Sequence, residues 1–155
     1  MRSWGSEKKG DQALGRSKGG LTTKIHMLGG SPDIGMYFEL SPGQTSDVKI
    51  GKEIINSYHF PESVTDLVMD KGYSTYEIVE LCRAVNIEAV VPPKQNFKKP
   101  WSYNKNIYMF RNEIERLFHR IKNFRRVATR YDKLKVTYSG FIFLGLIALL
   151  VKILC

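Results

Sequence analysis

Glu115 is the first residue of this sequence that could do chemistry. It lies in a helical pattern one turn after Arg111 and one turn before His119. At 100° per residue, Ile107, Phe110, Ile114, Leu117, Phe118, Ile121 and Phe124 share an apolar arc of about 120°, and Tyr108, Arg111, Glu115 and Lys122 share a second arc of about 60° along its edge. A carboxylate on that border can reach a cleft while packing holds its backbone rigid. An ordinary amphipathic helix with i, i+4 charge pairs would give the same trio. Asp70 is the second candidate, a carboxylate ending the short apolar run from Val64 to Met69, just before Lys71-Gly72-Tyr73. Charge adds a context: the net charge is +9, but residues 27–93 carry ten acids against four bases, and residues 94–136 thirteen bases against three acids. An acidic middle beside a strongly basic stretch suits a polyanion-binding protein with a carboxylate site, and equally a solvated basic helix.

Other chemistries are disfavoured. Gly10-Asp11-Gln12-Ala13-Leu14-Gly15-Arg16-Ser17 is one residue from a phosphate-binding P-loop, but Arg16 stands where Lys is required, and neither a strand before nor a helix after is signalled. His26, His59 and His119 have no metal-ligand spacing and read as structural. Asp47 and Asp66 read as a helix cap and a surface residue. Two cysteines, Cys82 and Cys155, make no disulfide framework, and Met1-Arg2-Ser3-Trp4-Gly5 lacks the apolar core of a signal peptide. A reducing, cytoplasmic setting is expected.

Elements that could position these residues follow from periodicity. With 155 residues, 43% of them hydrophobic, the chain suits one domain with a real core. The first twenty residues are rich in Gly, Lys and Ser and read as a flexible basic segment. Leu21, Thr23, Ile25 and Met27 alternate with Thr22, Lys24 and His26; a turn at residues 29–33 and a second alternation over 36–40 make a hairpin. Ser46 or Asp47 can open a helix to about Tyr58 with Ile50, Ile54 and Ile55 inward. Ser74-Thr75-Tyr76-Glu77 fits a capping box ahead of another helix, and residues 87–91 form a strand stopped by Pro92-Pro93. A long helix from roughly 106 to 125 follows. The uncharged run 136–151 falls short of the ~20 residues needed to cross a bilayer and reads as a buried helix covering the sheet, with no membrane as partner. Strands alternating with helices after a hairpin imply a mixed α/β sheet.

The spacing Tyr108-x2-Arg111-x3-Glu115-x6-Lys122 resembles the signature of DDE transposases of bacterial insertion sequences. Asn112-Glu113-Ile114-Glu115-Arg116-Leu117-Phe118, Phe124-Arg125-Arg126, Gly15-Arg16-Ser17-x-Gly19-Gly20, Thr23-Lys24-Ile25-His26, Ser41-Pro42-Gly43-Gln44, Met69-Asp70-Lys71-Gly72-Tyr73 and Arg130-Tyr131-Asp132-Lys133 continue the likeness from about residue 8 to about 150. The resemblance implies a ribonuclease H-like mixed sheet with flanking helices and two Mg²⁺ ions held by two aspartates and a glutamate. Asp70 then corresponds to the second aspartate and Glu115 to the glutamate, as metal ligands and catalytic residues. Asp70 would close a strand at its carboxyl end, where open α/β sheets place ligands. Arg111 and Lys122 would hold phosphates, Tyr108 would pack beside the backbone, and Arg125, Arg126 and Arg130 would add DNA contacts.

The likeness departs at its start. The first aspartate of the family lies on an opening strand upstream of the Gly-Arg-Ser stretch, and here only Glu7 and Asp11 precede it, in a segment without a strand pattern. The expected organisation is a flexible segment over 1–20 and, over 21–155, a partial catalytic domain lacking that first strand. Three readings follow: a transposase fragment that cuts and joins DNA when completed, inactive alone; a non-catalytic DNA-binding or regulatory remnant; and a small membrane-associated protein anchored by residues 137–155. Expected partners are DNA and an upstream-frame product, and a homo-oligomer is compatible with the sequence.

Overall fold

A computed structural model of the chain describes residues 10–154 apart from Gly19, Pro32 and Asp33. The turn expected at Pro32-Asp33, Glu7 and Cys155 therefore lie outside the described residues. The architecture is mixed α/β. Strands β1 (Gly15–Ser17), β2 (Gly20–Ser31) and β3 (Ile34–Pro42) form an antiparallel sheet in that order. Helix α1 (Asp47–Ser57), strand β4 (Asp66–Val68), a 3₁₀ turn (Lys71–Tyr73), α2 (Tyr76–Ala84) and β5 (Glu88–Val90) follow, with β4 and β5 paired in parallel as a second sheet. The remaining elements are α3 (Lys105–Tyr108), α4 (Arg111–Ile121), α5 (Arg125–Ala128) and α6 (Lys135–Leu154).

The period of two along β2 sets the layers. Ile25 and Met27 pack into a core with Leu117 and Ile121 of α4 and Ile142 of α6. Lys24 and His26 point the other way, Lys24 to Asp47 of α1 and His26 to Tyr73. So α1 and α4 lie on opposite faces of β2, as alternation of Cβ directions requires. A second core joins Ile55, Ile78, Val79, Cys82, Ala89 and Val91 under Trp101, whose indole N–H donates to the Val91 carbonyl at 2.9 Å.

Four sequence expectations are corrected. β1 falls inside the segment read as a loop: three residues are too few to show an alternation, and it is held instead by pairing with residues 20–22 and by Thr23, whose hydroxyl donates to the Ala13 carbonyl at 2.7 Å. The long helix is three helices, with turns at 109–110 and 122–124. Met109 and Phe110 are 69% and 64% exposed, so the apolar arc includes positions that packing does not hold. The cap of α2 is Thr75, whose side chain accepts from the Ile78 N–H, one residue later than the expected box. Last, α6 is not buried as a whole. Its stripe of Tyr138, Ile142, Gly145 and Leu149 is buried, while Phe143, Leu144, Ile147 and Val151 are exposed. With Lys135 and Lys152 included it reaches 20 residues, long and apolar enough to cross a membrane by length and composition.

Candidate carboxylate site and nucleic-acid interface

Asp70 follows β4 and caps the 3₁₀ turn behind it, its Oδ1 accepting from the Lys71 N–H at 2.7 Å. Glu115 projects from the middle of α4. Both carboxylates reach the same guanidinium: Arg111 NH1 lies 2.7 Å from Glu115 Oε1 and 3.7 Å from Asp70 Oδ1. The Arg111–Glu115 half is the i, i+4 pair that helix geometry favours, and the Asp70 half ties two distant elements together. Tyr108 lies under Arg111, 6.0 Å from ring centroid to guanidinium, with its own ring edge-on to Tyr103. Burial is the leading cause that raises the Tyr108 pKa, so its hydroxyl stays protonated at neutral pH.

A buried polar network supports the Asp70 turn. His26 is 4% exposed, with Nδ1 2.8 Å from the Tyr73 hydroxyl and Nε2 2.9 Å from Ser41 Oγ. Burial lowers the His26 pKa, outweighing the opposing pull of Asp47, and raises that of Tyr73. Lys24 donates to Asp47 Oδ1 at 2.7 Å and to the Thr45 carbonyl at 2.9 Å. Gly51 of α1 lets the Tyr73 ring sit against the helix, since a Cβ there would stand 2.7 Å from a ring carbon. Asp47 thus serves as an ion-pair partner at the first turn of α1, rather than as its cap, which is Ser46.

The carboxylates open onto a cleft of about 1280 Å³ between β2 and β4, walled by α1 on one side and α4 on the other. Lys122 and His119 also face it. Among the described residues, no group of three His, Cys, Asp or Glu side chains is placed to hold a metal ion. Asp11 lies elsewhere, accepting from the Ala13 N–H and facing Lys135 at the start of α6.

The basic residues divide into two kinds. Lys122 stands 6.0 Å from the Phe118 ring at the end of α4, and Arg125 is exposed over Tyr131 at 5.9 Å. Arg126 covers Phe141 and meets Asp132 at 3.4 Å with its side chain 54% exposed. Arg130 is different. Its guanidinium donates to the carbonyls of Gln12, Asp132 and Lys133 at 2.6, 2.8 and 3.0 Å, and to the Thr23 hydroxyl, over the face of Tyr138. It binds β1's approach, β2 and α6 together.

The profile of the transposase DDE domain family matches residues 67–153, more than half of the chain, from β4 nearly to the end of α6. The chain belongs to the DDE transposase family. A protein of Brucella ovis that carries the name of a transposase for insertion sequence element IS6501 is 23% identical over 127 residues, covering 81% of this chain and 95% of that protein. No solved structure matches the chain.

In this DDE domain the matched span contains both Asp70 and Glu115, and the structure brings these two together. Sequence reasoning missed the buried link from His26 to Tyr73 and the shared guanidinium. The first had only part of a signal, since His26 shares with Lys24 the face of β2 opposite Ile25 and Met27, and Tyr73 ends the turn behind Asp70. The second had only half of one, the helical spacing of Arg111 and Glu115.

Proposed function

We propose that this chain is the DNA-contacting and metal-holding part of an insertion-sequence transposase with a ribonuclease H-like fold, which cuts and joins phosphodiesters once a further carboxylate completes its site. The observation that carries this reading is the convergence of Asp70 and Glu115, from a strand end and a helix, at one end of an open cleft. Carboxylate oxygens are the donors a hard divalent cation takes, and Mg²⁺ uses one or two of them beside waters and phosphate oxygens. The pair therefore fits one Mg²⁺, held by Asp70 and Glu115. When bound, such ions supply charge stabilisation for in-line attack by a water or 3′-hydroxyl on a phosphodiester.

The chain's own residues do the rest. Arg111 pairs with both carboxylates and offsets part of their charge, and as a fork of fixed donors it is equipped to turn to a phosphate oxygen. Lys122, Arg125 and Arg126 hold the DNA backbone without reading bases. Tyr108 packs beside that backbone and keeps Arg111 oriented. The third carboxylate of a two-metal site comes from an upstream product, in a cytoplasmic setting. Carboxylates of one metal site act as a unit, so the chain alone cleaves little or not at all.

A second reading, a non-catalytic DNA-binding remnant or regulatory fragment, is favoured by one observation: the described residues bring two acidic ligands together and not three. Mn²⁺ binding by the purified chain, followed by electron paramagnetic resonance, separates the two. Binding lost in both Asp70→Asn and Glu115→Gln supports the metal-holding reading. No binding, with DNA binding intact, supports the remnant.

A further inference from the structure

Asp70 and Glu115 stand on different cores: Met69 and Tyr73 flank the first in one, and Leu117 and Ile121 carry the helix of the second in the other. The Arg111–Asp70 pair between them is 3.7 Å long and partly solvent-exposed, and such a pair fixes little. A firmer contact has to set the separation of the two carboxylates.

Both anchor on β2. On one face, α4 approaches so closely at Gly29 that a Cβ there would stand 3.1 Å from a methyl carbon of Ile114, the residue before Glu115. On the other face, His26 Nδ1 lies 2.8 Å from the Tyr73 hydroxyl. Tyr73 closes the turn that Asp70 caps, its N–H donating to the Asp70 carbonyl at 2.9 Å. That turn has little room to slide. A Cβ on Gly72 would stand 3.0 Å from Asp47 Oδ2, and the Tyr73 ring lies against Gly51. His26 and Gly29 are three residues apart on one strand, about 10 Å.

The chemistry of the contact is as telling as its place. His26 is 4% exposed, and its second ring nitrogen lies 2.9 Å from Ser41 Oγ on β3, so the imidazole cannot turn without losing a hydrogen bond. Burying an imidazole and a phenol hydroxyl costs desolvation that apolar side chains would avoid. What the polar link adds is direction: apolar contact is non-directional, whereas a hydrogen bond fixes distance and angle.

We infer that Ser41, His26 and Tyr73 form a positioning strut that sets the Asp70 carboxylate against Glu115, with β2 as the common reference. His26 and Tyr73 act through the turn and make no contact with a metal themselves. The consequence for metal binding rests on the transposase reading; the ordering of the turn does not.

The test follows Mn²⁺ affinity, Tm and the metal-free amide order parameters of residues 70–73 in the full chain. Tyr73→Phe keeps the ring against Gly51 and removes only the hydroxyl; His26→Leu removes both hydrogen bonds. Both should weaken Mn²⁺ binding at least tenfold. Order parameters at 70–73 should fall in both from about 0.85 towards about 0.6. His26→Asn still offers an amide to the Tyr73 hydroxyl, and should stay within threefold of the unaltered chain although the Ser41 contact is lost. A purely structural role gives another pattern, with affinity following Tm across the variants and Asn no better than Leu. That pattern, or unchanged affinity and order in Tyr73→Phe, overturns the strut. Should His26→Leu not fold, Tyr73→Phe decides by itself. If the unaltered chain binds no Mn²⁺, the metal-holding reading fails and the order parameters alone decide: a drop in Tyr73→Phe that His26→Asn does not share keeps the strut, and no drop removes it.

Discussion

Asp70 and Glu115 share one cation, the Arg111 guanidinium, although one carboxylate caps the turn after β4 and the other lies on a helix packed on the first sheet. The arrangement holds two acids close together without a metal by placing a positive charge between them.

Arg111→Ala should therefore tighten Mn²⁺ binding. The guanidinium competes for the same oxygens, and its removal leaves them free. All three side chains keep solvent contact, so the loss of stability should be no more than about 1 kcal/mol. Calorimetric titration with Mn²⁺ and a thermal melt check both halves; weaker Mn²⁺ binding at unchanged Tm would show that Arg111 positions Glu115 rather than blocking it.

Stability should fall with acid through His26. Its pKa is lowered in the folded chain by burial, with Lys24 acting in the same direction and Asp47 and Glu39 against it. The unfolded chain, with an ordinary histidine near about 6.5, then binds the proton first. The contribution is complete above that value and is lost as pH drops from it towards the folded value, at up to about 1.4 kcal/mol per pH unit. Urea midpoints measured between pH 7.5 and 5 should show this slope, and His26→Gln should flatten it.

Arg130→Ala should cost about 2 kcal/mol or more, since its charge-assisted hydrogen bonds to three carbonyls and the Thr23 hydroxyl are all within the protein. Arg125→Ala with Arg126→Ala should leave the fold intact and act on DNA instead. If about four to six cations neutralise phosphates, log K falls against log salt with a slope near about −4 to −5, and the double variant flattens it by about two. A salt slope near zero, or one the double variant leaves unchanged, would remove these arginines from the interface.

On α6, Ile142→Ala should cost about 3 kcal/mol, because Ile142 is fully buried in the first core, whereas Ile147→Ala at 55% exposure should cost less than about 0.5 kcal/mol. Equal costs would mean that the exposed face is covered in solution.

Much of the fold is legible because it rests on local periodicity. Ile25 and Met27 against Lys24 and His26, or Leu117 and Ile121 one turn apart, declare their faces by spacing alone. The run ending in Asp70 and the border position of Glu115 are visible for the same reason. What escaped the sequence is long-range or very short. β1 exists through its pairing with β2, and the turn at Met109–Phe110 interrupts an apolar rhythm that continues on its far side. The single-sided burial of α6 depends on which neighbours reach it, and hydrophobic composition does not encode that.

The molecule has two separate apolar cores, one under β2, β3, α4 and α6, the other among α1, α2, β4 and β5. Between the cores the named contacts are few: the Lys24–Asp47 and His26–Tyr73 links, the Arg111–Asp70 pair and the Tyr37–Tyr58 ring contact. Cooperativity in unfolding comes from shared burial, and units that lack it open independently. The chain should accordingly melt in two steps, with amides of β4 and β5 exchanging before those of β2 and β3.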